Sequence, residues 1–291
     1  LHQSSKIPYE QKKTLELAID LLKQINNFDL SAYTPIKFNN KNIGWLNNKI
    51  VSDNFLKTDN NSIKFSKLVE FIRNLENNEP STETCPVFSF ASLKPKKIFK
   101  ETAKFCDENI FCIKRNLLAL FGFPSYGVHC NVWSKHKDKF IIYFAKRATK
   151  LSNFPGFADN TVAGGQPINL SIFDNLKKEA YEEAGITDKY LKKIKRGNTV
   201  SYFHNNNNKF ISAIIFNYHL KKVDELKLKN MDGEVDRFFS LTLEDTYKLL
   251  EKNQLKPNCV IPILDFILLN DYHFLSKGTI VEIKKILRLN E

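Results

Sequence analysis

Between residues 164 and 186 the chain reads GGQPINLSIFDNLKKEAYEEAGI, and this stretch constrains the fold most. Read as a helix, it sets Glu179, Glu182 and Glu183 at i, i+3 and i+4, three carboxylates on one face within a turn. Like charges at that spacing cost an exposed helix roughly 0.2–0.5 kcal/mol per pair, and a divalent cation bridging them would turn the repulsion into a site. Ser171 followed by Asp174 is a capping-box pattern, Leu176, Ala180 and Ala184 repeat on another face, and Gly185 suits the left-handed end of the helix. Taken alone, three glutamates describe a solvated acidic face. The flanks argue for more: the Gly164-Gly165 pair before the helix, Lys178 directly before Glu179, and the Gly185-Ile186 exit.

This pattern resembles the signature of the Nudix hydrolases, which cleave diphosphates joined to another group. The resemblance implies Mg²⁺ or Mn²⁺ as cofactor, held by the helix glutamates. Two positions depart from it. The family's further glutamate, about eight residues before the basic position, is replaced by Leu170 or Ser171, and the usual arginine is Lys178, which keeps the charge but loses the planar fork.

The rest of the composition suits a globular protein. With 291 residues and 42% hydrophobic content the chain is large enough for two cores. Its formal charge of +12 is spread over scattered lysines that travel with Asn, Ile and Phe, so nucleic acid is not expected as the main partner. A general attraction for anionic phosphate substrates is the narrower inference, and the resemblance implies a small-molecule diphosphate. The five cysteines show no CxxC pair, which suggests reduced thiols in a cytosol-like compartment. A cytoplasmic location follows as the expectation, with room for an organellar targeting segment removed from ahead of Leu1. No membrane partner is expected, because no stretch reaches the ~18–20 apolar residues of a span. Residues 260–269 come nearest, but they hold Pro262 and Asp265 and read as a buried helix.

Along the chain, helical spacing is expected over 10–26 and 66–77, and a small hairpin over 35–46. Pro80, Pro86 and Pro95 mark a connection across 78–110. Residues 113–123 read as a helix ending at Gly122. Strands are expected over 126–133, 139–145, 199–203, 209–220 and 234–239, a helix capped by Thr242 with Asp245, and a last apolar helix near 259–270. Strands bracketing a central helix predict an α/β protein: a Nudix α/β/α sandwich over 113–291, preceded by a small α+β N-terminal module over 1–112.

Four further segments narrow the resemblance. They are Tyr126-Gly127-Val128-His129, the run 154–160 (FPGFADN) leading to Gly164-Gly165, the KEAYEEAGI core, and Asp232-Gly233-Glu234-Val235. Together they look like the thiamine-diphosphate-related Nudix subfamily, found fused to thiamine pyrophosphokinase in fungi and as separate proteins in plants and bacteria. The segment around Ile43-Gly44-Trp45 is similar to that group's extra domain, and the likeness covers roughly residues 28–275. That group also lacks the early glutamate and carries Lys at the basic position. The resemblance implies a diphosphatase converting thiamine diphosphate, or its oxidised or oxygen-substituted analogues, to the monophosphate.

Roles follow for individual residues. Glu179, Glu182 and Glu183 are the expected metal ligands, with Glu183 and Glu179 also catalytic candidates and Glu179 open to a role as proton acceptor. Glu234, after a glycine turn, is the candidate for an extra ligand or general base. Arg147 and Lys150 are expected phosphate contacts, against the plainer reading of two solvated cations. Asn160 shapes a loop or touches substrate, and Gly164 and Gly165 let the backbone approach closely. Tyr126 and His129 read first as core residues; beside a thiazolium ring they would add cation–π attraction.

Two other readings stand beside this one. One is a Nudix hydrolase of a nucleoside-diphosphate-linked substrate; the isopentenyl diphosphate isomerase variant is disfavoured because no cysteine lies between Cys130 and Cys259. The other is a non-hydrolytic nucleotide- or RNA-binding Nudix protein, disfavoured because the helix carboxylates are all present. For the N-terminal module two roles stay open, a lid over the substrate's organic end and a homodimer contact.

Overall fold

The computed structural model describes residues 9–53, 63, 65–78, 83–88, 102, 109–270 and 275–289. Most of the proline-marked connection over 78–110, Cys106 and the start of the chain therefore lie outside the described residues. The elements run α1 (Tyr9–Gln24), β1 (Tyr33–Phe38), β2 (Lys41–Asn47), α2 (Asn48–Asp53), α3 (Phe65–Asn77), β3 (Thr84–Val87), β4 (Phe111–Lys114), β5 (Ser125–His136), β6 (Lys139–Arg147), β7 (Ala158–Asn160), β8 (Val162–Gly165), α4 (Ile172–Ala184), α5 (Asp188–Leu191), β9 (Lys195–Asn206), β10 (Lys209–Lys221), β11 (Val235–Thr242), α6 (Tyr247–Glu251), α7 (Val260–Leu269) and α8 (Lys277–Ile286).

A mixed sheet in the order β11-β6-β5-β10-β9 forms the centre, with β7 added to β6 and β8 to β5. Strands β5 and β10 run parallel, and the other pairings are antiparallel. Strand alternation divides the core. Tyr126, Val128, Cys130 and Val132 point to one face, where Leu176, Ala180 and Ala184 of α4 cover them. The opposite face carries Val200, Ile215, Ile142 and Phe144 and is covered by α7, α8 and α1. The result is the expected α/β/α sandwich.

Helix α1 belongs to this sandwich in space although it opens the chain. Thr14 Oγ1 donates to Glu244 O at 2.6 Å and accepts from Tyr247 N at 3.0 Å, and Lys23 pairs with Glu282 at 2.7 Å. A third cluster gathers Ile36, Ile43, Leu68, Ile72, Val87 and Ile113 with Leu117 to Phe123. That third cluster draws residues from both sides of the expected division at residues 112 and 113.

Residues 113–123 do not form the expected helix. Strand β4 continues to Lys114, a 3₁₀ turn covers Arg115–Leu117, and Gly122 takes φ +58°. The reason is tertiary. Trp45 N donates to Phe121 O at 2.8 Å, and a Cβ on Gly122 would lie 2.7 Å from Trp45 O. Burial of Leu117, Leu118, Phe121 and Phe123 outweighs the local preference. Helix α8 and strands β7 and β8 had no counterpart in the sequence reading. Among the described residues no helix is long and apolar enough to cross a membrane.

Candidate active site

Helix α4 starts and ends where its sequence directs. Ser171 Oγ accepts from Asp174 N at 3.0 Å and donates to Asp174 Oδ2 at 2.7 Å. At the other end Gly185 adopts φ +64°, its N–H donates to Tyr181 O at 2.9 Å, and Ile186 N donates to Ala180 O at 2.9 Å. With Leu176, Ala180 and Ala184 wholly buried, the helix has one permitted rotation, and its acidic face turns to a cleft of about 930 Å³. Glu179, Glu182, Glu183 and Glu234 all line that cleft, together with Gly164, Gly165 and Arg147.

The glycine pair sits on β8 against this face. Asn175 Nδ2 donates to Gly165 O at 3.0 Å, and a Cβ on Gly164 would lie only 2.1 Å from Glu179 Cδ. Gly164 is thus glycine because Glu179 occupies the side-chain space. Glu183 is buried and accepts the Ala163 N–H at 2.7 Å. Burial pushes its carboxyl up to about 8, and the Ala163 N–H only partly opposes that. Burial also raises Glu179; Lys178 opposes the shift, while the charges of Glu182 and Glu83 add to it. Lys178 lies 3.1 Å from Glu179 and 2.8 Å from Glu182, so the basic position partly neutralises two of the three carboxylates.

Glu234 reaches the cleft through main-chain ties. Met231 N donates to Glu182 O at 2.9 Å and Lys229 N to Ala184 O at 3.0 Å, which fastens the 229–231 segment to the end of α4. Gly233, at φ +85°, then turns the chain so that Glu234 precedes β11, with its carbonyl accepting from Ala148 N at 2.8 Å. Lys150 sits beside this turn, its Nζ 2.9 Å from where a Gly233 Cβ would stand, and does not line the cleft.

Three candidate substrate contacts lie in the interior, which for Tyr126 and His129 is the core position expected first. Tyr126 packs edge-on against Phe88, with ring centroids 5.6 Å apart, because its strand parity directs it to the α4 core. His129 and Asn160 pair with each other at 2.8 Å, and Asn160 also donates to Asn131 Oδ1 at 2.9 Å. Burial lowers His129 to about 4, so its ring is neutral. The structure does not bring these residues to the cleft, and the Asn160 amide is satisfied by His129, Asn131 and Cys259 O.

Arg147 lines the cleft but is engaged. It donates to Asp159 Oδ2 at 2.9 Å and to Asn153 O at 3.0 and 3.2 Å. Lys256 reaches the same Asp159 oxygen at 2.9 Å, and Cys259 Sγ donates to the other at 2.7 Å. Burial would raise Asp159, yet Lys256 and the neighbouring donors outweigh it and hold the carboxyl well below the usual range. His129, Asp159 and Cys259 offer ligand atoms within 4.8 Å of one another. With two cations already on Asp159, that cluster is balanced as an ion-pair network and is poorly suited to a metal.

Sequence reasoning missed Glu83, Arg115 and Lys256, all on the cleft wall. None stands in a motif; they arrive from strands and turns distant in sequence. Another part of the wall is uncharged, with Ile25, Leu118, Phe123, Tyr202, His204 and Ile211. There the Tyr202 and His204 rings lie 6.1 Å apart and 12° from parallel.

No family model matches the chain. Over 158 residues it is 32% identical to Nudix hydrolase 20, chloroplastic, of Arabidopsis thaliana, covering 54% of this chain and 42% of that protein. Nudix hydrolase 24, chloroplastic, of the same plant is 31% identical over 158 residues, covering 54% and 43%. An uncharacterised Saccharomyces cerevisiae protein is 27% identical over 174 residues, covering 55% and 51%. The matched region thus spans about half the length of these relatives or less. Among solved structures, the Nudix domain of Shewanella oneidensis NrtR complexed with ADP ribose is similar at a TM-score of 0.40 and 13% identity, covering 50% of this chain and 88% of that one. A C. elegans Ap4A hydrolase is similar at 0.38 and 14%, covering 50% and 97%. Over about half its length, this chain is similar to the two plant Nudix hydrolases.

Proposed function

We propose that this protein is a divalent-metal-dependent diphosphohydrolase that converts thiamine diphosphate, or its oxidised or oxygen-substituted analogues, to the monophosphate. One observation carries the hydrolase reading: Glu179, Glu182, Glu183 and Glu234 converge on a single cleft from a helix and a separate turn.

The donor set fits Mg²⁺ or Mn²⁺. It consists of hard carboxylate oxygens, and buried Glu183, pushed up to about 8, is a carboxylate that a cation would return to its charged form. Glu179, Glu182 and Glu183 would hold the ion, with Glu234 as the additional ligand or base. When bound, a divalent ion neutralises phosphate charge and makes a water more acidic. The chain's own residues do the rest. Glu234, exposed at the mouth of its turn, takes the proton of the attacking water. As the new P–O bond forms, the bond from phosphorus to the bridging oxygen breaks, and the monophosphate leaves with that oxygen. Ala163 N–H keeps the Glu183 carboxylate aimed, and Lys178 does the same for Glu179 and Glu182.

The thiamine part of the proposal is supported by the subfamily-like segments at 126–129, 154–165 and 232–235. The uncharged wall with the Tyr202 and His204 rings also suits a flat heteroaromatic group. The test is product analysis with purified protein and Mg²⁺ across thiamine diphosphate, its oxo and oxy analogues, ADP-ribose and NADH. Thiamine compounds cut to monophosphates well ahead of the nucleotides are the expected result. Turnover of nucleotides alone would retain the hydrolase and remove the thiamine assignment, and no turnover would remove both.

A further inference from the structure

An arginine from outside the glycine-to-helix signature reaches the cleft. Arg115 follows β4, and its main-chain N–H donates to Glu83 O at 2.8 Å, so the two residues flank the same end of the antiparallel β3–β4 pair. Arg115 Nε donates to Glu83 Oε2 at 2.7 Å, Nη2 contacts the same oxygen, and Nη2 lies 3.4 Å from Gln166 O. The third nitrogen, Nη1, lies over Gly165: a Cβ there would stand 2.3 Å from it. Among the described residues Nη1 has no hydrogen-bond partner. The glycine pair is therefore shared, with Glu179 filling the space at Gly164 and the Arg115 guanidinium filling the space at Gly165.

The other cations of the cleft wall are already engaged. Arg147 and Lys256 serve Asp159, and Lys178 serves Glu179 and Glu182. The pair of Arg115 with Glu83 is looser, at 30% and 43% side-chain exposure, so solvent screens it and a multiply charged phosphate competes well for the guanidinium. We propose that Arg115 is a substrate-binding residue whose Nη1 edge takes a phosphate oxygen of the diphosphate. Glu83, from the N-terminal module, is the positioning residue that aims the fork. This rests on the diphosphohydrolase reading above, and it gives that module a direct part in phosphate recognition.

The test uses the full chain and two readouts. One is calorimetric binding of methylenediphosphonate, a non-hydrolysable diphosphate, in Mg²⁺; the other is steady-state kinetics on whichever diphosphate the wild type cuts. Arg115→Ala is expected to weaken methylenediphosphonate about 10- to 100-fold, the loss of a charge-assisted contact. KM should rise more than kcat falls, and Mn²⁺ affinity should stay unchanged. Arg115→Lys, which keeps the charge without the fork, should fall between, and Glu83→Ala should give a smaller loss of the same kind. Gly165→Ala should match Arg115→Ala, because the new methyl displaces the guanidinium. Combining the two should then cost no more than either alone. Wild-type affinity for methylenediphosphonate in Arg115→Ala and Arg115→Lys, additive losses in the combined variant, or a wild type that does not bind methylenediphosphonate would each overturn the inference. A wild type that binds it but cuts no diphosphate overturns the hydrolase reading, while the binding comparison still decides the role of Arg115.

Discussion

Glu183 accepts the Ala163 main-chain N–H at 2.7 Å, and this bond joins α4 to the strand that carries the glycine pair. It ties the acidic helix face to the glycine-bearing strand β8. Glu183→Gln keeps an oxygen acceptor for Ala163 and removes the charge. The expected outcome is a fall in turnover of about 10²- to 10⁴-fold, the several kcal/mol that cation-assisted charge stabilisation supplies, with methylenediphosphonate binding still measurable. Unchanged turnover would remove Glu183 from the catalytic set.

The raised carboxyl of Glu183 has a consequence for stability. A carboxyl at about 8 when folded and 4.5 as reference holds its proton more tightly in the folded state. Its contribution is therefore fully present below 4.5 and is lost as pH rises through about 8. With the protein stripped of metal by EDTA, Tm should fall across that interval, and the gain in Tm on adding Mg²⁺ should grow with pH. In Glu183→Gln both trends should flatten. A Mg²⁺ effect on Tm that is independent of pH in the wild type would count against the assignment.

Gly164→Ala separates metal holding from folding. The added Cβ would stand 2.1 Å from Glu179 Cδ, and the far end of a glutamate moves more easily than β8. Mn²⁺ affinity measured by titration should drop, while Tm shifts little. An unchanged Mn²⁺ affinity would mean that Glu179 is not a ligand.

Asp159→Asn should act the other way, on stability first. Arg147 and Lys256 both depend on Asp159 Oδ2, and their side chains are only 14% and 18% exposed. Breaking a buried pair from one side costs about 3–5 kcal/mol, because the charges left behind are uncompensated. Denaturant unfolding should show this loss as a lower midpoint. Full stability in the variant would show that the two cations find other partners.

How much of this was legible depends on the range over which residues act. Helix α4 was readable because its cap, its apolar repeat and its glycine stop lie within a few residues of one another and act through local geometry. That same local order set Glu179, Glu182 and Glu183 on one face, and strand alternation outlined the central sheet. Local preference failed at 113–123, where contact with Trp45 and burial of Phe121 and Phe123 replaced the helix by a turn. Strand position gave Tyr126 and His129 their core reading, and both are buried, but nothing beside Asn160 in sequence shows that the Asn131 and Cys259 segment encloses it. Tertiary structure alone decided that Glu83 meets Arg115, that Arg115 meets Gly165, and that Lys256 meets Asp159 across 97 residues. The chain order determines which side chains share a helix face or a strand face; only folding of distant segments against one sheet determines which charges share a cleft, since those pairings rest on burial and ion pairing between residues with no common local geometry.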